Sequence, residues 1–550
     1  MQNFHFIGKN FRILIMAAVI PFTVYNCRSF TNSSKSAEST IIPVPAHYKQ
    51  INSRDFTLTP GTVIYYDSAA GNSVRYLADY LKKFYNLNLS TNLLPDKSKG
   101  KPIILTYDSN MVPGQYSLKV SGKKIEITGS EDGTFYGVQS LVQLMPVDFK
   151  ENKHLKIPSV EIRDQPRFAY RGLLLDVGRH FYTIDFLKRC VDFAALHKMN
   201  YFQLHLTDDQ GWRVEIKKYP ELNKTGSWRN GSMIGLWPGT GNDSLRHGGY
   251  YTQQELKDLV SYARERFVTI VPEIEMPGHA LAALASYNFL GCTGGPYKVK
   301  DSWGYSDDVF CAGKESTYEF LQDVLDEVVD IFPSEYIHIG GDECPVIRWE
   351  KCKACQARMT REGLKNEREL EGYLIHRMSE YLSSKGRKII GWDEILEGGA
   401  PSGSVIMSWH GMGETGCIKA VRNNHKVILA PSSAFYLDYP QTSTEDSLAA
   451  AWGGVTTLKR TYMYEPVNDS LKTEEVALIL GSQASIWTEY MNNNAKVEYM
   501  TFPRLSAVSE VLWSDPGSKD WEKFKQRLQV QYKRYKMWNI IYNPADPDKD

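Results

Sequence analysis

The chain reads as an α/β protein, a (β/α)8 barrel preceded by a small α+β domain, and three observations predict this. Beyond about residue 164, apolar strand-like runs alternate with amphipathic helical stretches, the pattern of βα units wound around a parallel sheet. There are eight such runs, the number that closes a barrel. Acids, tryptophans, one arginine and one histidine recur just after them, where barrels of this kind carry their working groups.

The eight runs are Gly172–Leu175, Tyr201–Leu206, Thr269–Ile274, Tyr336–Ile339, Lys388–Gly391, Val405–Ser408, Val427–Ala430 and Leu478–Ser485. They are followed in turn by Asp176 and Arg179, Asp208 and Asp209, Glu275 and His279, Asp342 and Glu343, Trp392 and Asp393, Trp409, Tyr436 and Asp438, and Trp487 and Glu489. Any one of these could simply pack or cap. Their recurrence at one end of every strand points to a shared mouth. Before the barrel, residues 62–66, 102–107, 116–120 and 124–128 read as strands. Val74, Leu77, Leu81 and Phe84 fall at helical spacing, as do Phe135, Val138, Leu141, Val142 and Met145. No group of acids, histidines or cysteines there suggests chemistry, so this domain reads as structural support. Asp164-Gln165-Pro166 marks the boundary, because a proline disfavours helix in the residue before it.

The domain order is therefore an export signal at 1–27, a flexible linker at 28–40, an α+β domain at 41–163, the barrel with a C-terminal helix at 164–540, and a tail at 541–550. Lys9 and Arg12 precede the apolar stretch Ile13–Tyr25, which Pro21 interrupts and which is too short to span a bilayer comfortably. Cys27 resembles the lipid-modified cysteine of bacterial lipoproteins, although Asn26 replaces the usual small residue before it. Lipidation and simple cleavage both stay open. Either implies an exported protein, periplasmic or held at the outer membrane of a Gram-negative-type cell.

Lys+Arg and Asp+Glu both total 64, so the basic excess typical of a nucleic-acid binder is missing. The basic and aromatic stretch at 525–535 reads as a final amphipathic helix with a solvated face. Of the cysteines, Cys292 and Cys311 share a Gly-rich loop and could bridge, and the pairing stays open. Cys344, Cys352 and Cys355 cluster in sequence, compatible with a disulfide, free thiols or half a zinc site. Zinc needs four ligands and only three lie together, so the expectation is no metal.

The sharpest segment is Ile337-His338-Ile339-Gly340-Gly341-Asp342-Glu343. Two glycines permit a tight turn close to a ligand, and two adjacent carboxylates follow. Neighbours in an extended chain point to opposite sides, so Asp342 and Glu343 are expected to address different parts of one substrate. That suits poorly a glycosidase whose acid and nucleophile flank the same bond at about 5–5.5 Å. It suits better a substrate that brings its own nucleophile, an acetamido oxygen. One carboxylate would then orient the acetamido N–H and the other protonate the leaving oxygen.

At this point the sequence resembles the family 20 glycoside hydrolases, the β-N-acetylhexosaminidases, over most of its length. The motifs that carry the resemblance are Arg171-Gly172-Leu173-Leu174-Leu175-Asp176-Val177-Gly178-Arg179-His180-Phe181, the run from His205 to Trp212 (HLTDDQGW), the run from Pro272 to His279 (PEIEMPGH), and the Gly-Gly-Asp-Glu segment. The resemblance implies a retaining exo-enzyme that removes terminal β-linked GlcNAc or GalNAc from oligosaccharides or glycoconjugates through an oxazolinium, without metal or organic cofactor. It implies Glu343 as general acid/base and Asp342 as the group that holds the acetamido. Tyr436 matches the tyrosine on the acetamido oxygen, Arg179 the arginine on the ring hydroxyls, and Asp438 and Glu489 the acids on the outer hydroxyls. Trp392, Trp409 and Trp487 match the walls of the acetamido pocket. Asp208, Glu275 and His279 match a supporting shell that positions Glu343. Gly178, where a serine is usual, and Glu275, where the family often has Asp, are mild departures.

A carbohydrate-binding barrel without activity is the competing reading, and the intact Asp342-Glu343 pair argues against it. A metal-dependent barrel would need a His-x-His pair where Asp208-Asp209 stand. A chitinase-type barrel would need acids spaced along one strand. His338 reads as a core or supporting histidine. Gly291–Gly295 lacks the Lys-Ser/Thr of a phosphate loop and reads as facing substrate. The loops 231–249 and 290–306 are expected to decide the leaving-group side.

Overall fold

The computed structural model describes residues 39–94, 100–147, 154–443, 449 and 454–544. The export signal read at 1–27, Cys27 included, lies outside the described residues, as do most of the linker and the last residues of the tail. No helix among the described residues is long and apolar enough to cross a membrane.

Eight parallel strands close into a barrel in chain order: β1 (Tyr170–Asp176), β2 (Tyr201–His205), β3 (Thr269–Glu273), β4 (Tyr336–His338), β5 (Lys388–Trp392), β6 (Val405–Ser408), β7 (Lys426–Leu429) and β8 (Ile479–Ile486). β1 closes the ring on β8, with Leu173 opposite Ala484. Each run read from the sequence falls on one of these strands, with ends that differ by at most two residues. Helices such as Ile184–Leu196, capped by Thr183, and Gln253–Arg264, opened by a Thr252/Glu255 capping box, cover the outside.

The barrel interior is mostly apolar, with Leu174, Val271, Ile390, Met407 and Ile428 in contact. A thread of polar side chains runs through it. Tyr170 donates to Gln483 (2.9 Å), Gln483 to Gln203 (3.0 Å), and Gln203 to Glu273 (2.8 Å). Buried polar groups are tolerated when each finds a partner, and this thread ends at the carboxylate that underlies the active-site end of the barrel.

In front of the barrel lies a seven-stranded sheet in the order 47–50, 160–164, 116–120, 125–129, 103–107, 63–66, 90–93. The four strands and two helices read there from the sequence are present, the helices as Gly71–Tyr85 and Glu131–Leu144. The outer strands were not read. One of them, Ser90–Leu93, is exposed throughout and carries no apolar alternation to detect.

This domain is joined to the barrel by a buried charge cluster. Asp164 accepts from Lys198 (3.0 Å), Tyr116 (2.7 Å) and Trp513 (2.9 Å), and Lys198 is fully buried. Removing one partner of a buried pair leaves the other charge uncompensated. Asp164→Ala is expected to cost about 3–5 kcal/mol, read as a lowered denaturation midpoint. An unchanged midpoint would show that Lys198 is neutral or otherwise satisfied.

The C-terminal helix, Trp521–Met537, corrects the expectation of a simply solvated basic face. Arg527 and Arg534 are buried, Arg527 against Glu510 and Arg534 against Gln143 and Thr40.

Candidate active site

The C-terminal ends of the strands surround a cavity of about 710 Å³ that is lined by Arg179, Asp342, Glu343, Trp392, Trp409, Tyr436, Asp438, Trp487 and Glu489. All nine of these sequence-predicted residues meet there. A second cleft, of about 300 Å³, lies between helix Gly71–Tyr85 and the barrel and gathers no comparable set of carboxylates and tryptophans.

The reacting end is built on the turn after β4. Gly340 and Gly341 have φ of 69° and 93°, and a side chain at Gly340 would run into the Glu275 carboxylate. Glu343 itself has φ of 46°, a left-handed conformation that costs a non-glycine residue energy and tends to persist where function requires it. The chain here is therefore not extended, which corrects the basis of the sequence expectation: a sharp turn, not strand alternation, sets the two carboxylates. Both approach the same imidazole. His279 Nε2 lies 3.5 Å from Asp342 and 3.6 Å from Glu343. The Glu343 side chain is 39% exposed and that of Asp342 15%, so Glu343 stands nearer the open mouth.

Beneath the turn is an alternating network of charge. Asp208 contacts Arg179 (3.0 Å), His205 (2.7 Å) and His279 (3.2 Å). Burial alone would raise its pKa, but Arg179 and His279 override that and hold it well below the usual carboxylate range. Burial likewise opposes charge on His279, yet Asp208 and Asp342 raise it well above an ordinary imidazole, so it carries a proton. Asp342 is half-buried; its desolvation would raise its pKa, and His279 nonetheless keeps it lowered and ionised. Glu275 behaves in the opposite way. Burial, with Asp342 next, pushes it well above the usual range, so it stands protonated beside Asp342. Its carboxyl lies under Gly340 and 3.6 Å from His205 Nδ1, within the shell expected beneath the two carboxylates. Asp208 and His279 connect to Glu343.

One residue that sequence reasoning missed is Glu273. It receives Gln203 (2.8 Å) and Trp392 (3.0 Å) and sits 2.8 Å from His205 and 3.0 Å from His338. It occupies the inner face of β3, and nothing in the strand's sequence separates an inward acid from an outward one. His338 is the core histidine expected.

The walls are aromatic. Trp409 and Tyr436 are stacked with ring centres 6.3 Å apart, and Trp487 lies 6.0 Å from both Trp392 and Tyr436. Glu394, also missed, receives the Trp409 indole N–H at 3.1 Å, and burial followed by Asp342 pushes its pKa up to about 9. Burial, with Tyr439 and other groups adding to it, raises Tyr436, which remains a phenol and a donor. At the closed end, Arg179 Nε, Asp438 Oδ1 and Glu489 Oε2 are buried without a hydrogen-bond partner among the described residues. Buried polar atoms are normally paired, so these are positioned for a hydroxylated ligand. Trp237 and the segment from Lys300 to Tyr305 also line the cavity, where the Trp237 backbone N–H donates to the Tyr490 hydroxyl (3.0 Å) and Trp303 lies 6.3 Å from the Tyr490 ring. The loop 290–306 therefore contributes through its second half. Gly291–Gly295, expected to face substrate, does not line the cavity.

The cysteines also depart from expectation. Among the described residues every cysteine is a free thiol, so Cys292 and Cys311 are not bridged. Cys292, Cys311, Cys352 and Cys355 instead converge on one point, and Cys344 stands apart from them.

Residues 168–516 match the model of the glycosyl hydrolase family 20 catalytic domain, and residues 38–165 match that family's domain 2. The chain belongs to glycosyl hydrolase family 20. It is 41% identical over 483 residues to a beta-hexosaminidase of Porphyromonas gingivalis, covering 86% of this chain but only 60% of that protein's length. A beta-hexosaminidase of Vibrio furnissii is 34% identical, with 90% of this chain and 80% of that protein covered. Among solved structures of the family, an exo beta-N-acetylglucosaminidase from Vibrio harveyi in complex with N-acetylglucosamine superposes with a TM-score of 0.83 at 32% identity, over 93% of this chain and 79% of that one. The beta-N-acetylhexosaminidase of Streptomyces coelicolor gives 0.79 at 29% identity, over 93% and 98%.

Proposed function

We propose that this family 20 hydrolase is an exo-acting, retaining β-N-acetylhexosaminidase that cleaves terminal non-reducing β-linked GlcNAc or GalNAc by substrate-assisted catalysis. The observation that carries this is the Asp342-Glu343 turn, with His279 holding Asp342 ionised beside a box of Trp392, Trp409, Tyr436 and Trp487.

An apolar box fits an acetamido methyl and excludes water, which favours internal attack over stray hydrolysis. The acetamido oxygen attacks the anomeric carbon while Glu343 passes its proton to the leaving oxygen. Asp342 accepts the acetamido N–H and neutralises the charge that develops on the oxazolinium. Tyr436 donates to the acetamido oxygen. Glu343, now a base, takes a proton from water, which opens the ring and restores the β configuration. Arg179, Asp438 and Glu489 hold the sugar hydroxyls at the closed end, which is why only a terminal residue fits. Trp237 and Lys300–Tyr305 meet the leaving-group side. The sequence of residues 1–40 supports export, so the glycan would be met outside the cytoplasm.

The test is hydrolysis of paired aryl β-glycosides. Turnover of the GlcNAc and GalNAc glycosides is expected to exceed that of the glucoside by at least about 10³-fold, because the glucoside lacks the intramolecular nucleophile. Comparable cleavage of the glucoside would rule out acetamido participation.

A further inference from the structure

Four thiols converge outside the active site, from two segments far apart in sequence. Cys292 and Cys311 stand at the ends of the loop after helix Leu281–Ser286, tied together by the Gly291/Phe310 bridge and by the Cys311 amide donating to Leu290 at 2.8 Å. Cys352 and Cys355 open the helix Lys353–Glu362 as a Cys-x-x-Cys. The sulfurs lie 3.8 Å (Cys292 to Cys355), 3.7 Å (Cys311 to Cys352) and 3.6 Å (Cys311 to Cys355) apart, and all four fall within 4.8 Å of one another.

Those distances discriminate between chemistries. A disulfide brings its sulfurs to about 2.05 Å. A tetrahedral zinc with bonds of about 2.3 Å spaces its sulfurs by about 3.8 Å. The backbone supports the same arrangement. A side chain at Gly313 would collide with the chain at Ala354 and Cys355, so the loop packs directly on the start of the helix. Cys311 and Cys355 are buried and the other two half-buried, in a closed group that leaves no position open for substrate.

We propose that Cys292, Cys311, Cys352 and Cys355 hold one structural zinc ion as four thiolates. Four protons leave as the ion binds, and no redox change is involved. The zinc would anchor the loop carrying Trp303 to the segment that follows Asp342 and Glu343. The same two segments are already joined by Trp349 donating to Phe310 (2.9 Å) and by Arg348 with Asp308 (2.7 Å).

The experiment is elemental analysis of the wild-type protein purified without chelator, together with peptide mass mapping of its cysteines. Stoichiometric zinc is expected, released when a mercurial reagent blocks the thiols. Replacement by Co(II) should give the absorption of a tetrahedral tetrathiolate. Cys292→Ser and Cys355→Ser should lose the zinc and melt at lower temperature, whereas Cys417→Ser, outside the cluster, should keep it. Metal-free wild type, with these four cysteines found as disulfides or as freely titrating thiols, would overturn the proposal. Because the wild type is measured directly, a variant that fails to fold cannot hide the answer.

Discussion

Glu343→Gln is expected to abolish turnover of unactivated oligosaccharides, with kcat falling by about 10²–10⁴-fold, the usual contribution of a positioned proton donor. The amide keeps the size of the side chain and its place beside His279, so the fold should be unchanged by circular dichroism and melting temperature. Aryl substrates with good leaving groups should be affected less, because their departing oxygen needs little protonation. A mutant fully active on oligosaccharides would move the acid to another residue. Glu394, held protonated near the mouth, would be the next to test.

Asp342→Asn should lower kcat by about 10²–10³-fold and leave KM nearly unchanged. The reason is timing. The carboxylate meets a neutral acetamido in the ground state and a cationic oxazolinium near the transition state, so its charge acts late. A raised KM with unchanged kcat would make Asp342 a binding residue only. The wild-type pH profile follows from the same pair. Burial would raise Asp342, but His279 wins and lowers it. Activity requires the ionised form, so the acid limb set by Asp342 should fall below the ordinary carboxylate range.

The barrel and the lining of its pocket were legible because both rest on local signals. Strand runs such as Val405–Ser408 are short, apolar and punctuated, and the residue that follows a barrel strand faces the mouth wherever the rest of the chain goes. What stayed hidden depends on distance or on backbone geometry. Cys292 and Cys355 are 63 residues apart, and only the folded loop shows that they meet. The left-handed turn at Glu343 cannot be told from an extended chain by residue type. Glu273 looked like one acid in a motif, and its four partners come from Gln203, His205, His338 and Trp392 on three other strands.

That fourfold bracing of Glu273 separates two jobs within one pocket. The groups at the reacting centre stand on strand ends clamped from below through β2, β4 and β5, whereas the 300–305 segment is held at the rim, by the Lys300 backbone N–H donating to the Asp209 carbonyl (3.0 Å) and Gln210 donating to the carbonyls of Ser302 (3.0 Å) and Gly304 (3.2 Å). Insertions and substitutions in that segment can redraw which aglycone is accepted without moving Asp342 or Glu343. The scaffold can therefore acquire new glycan preferences by drift at its rim, while the chemistry beneath is inherited intact.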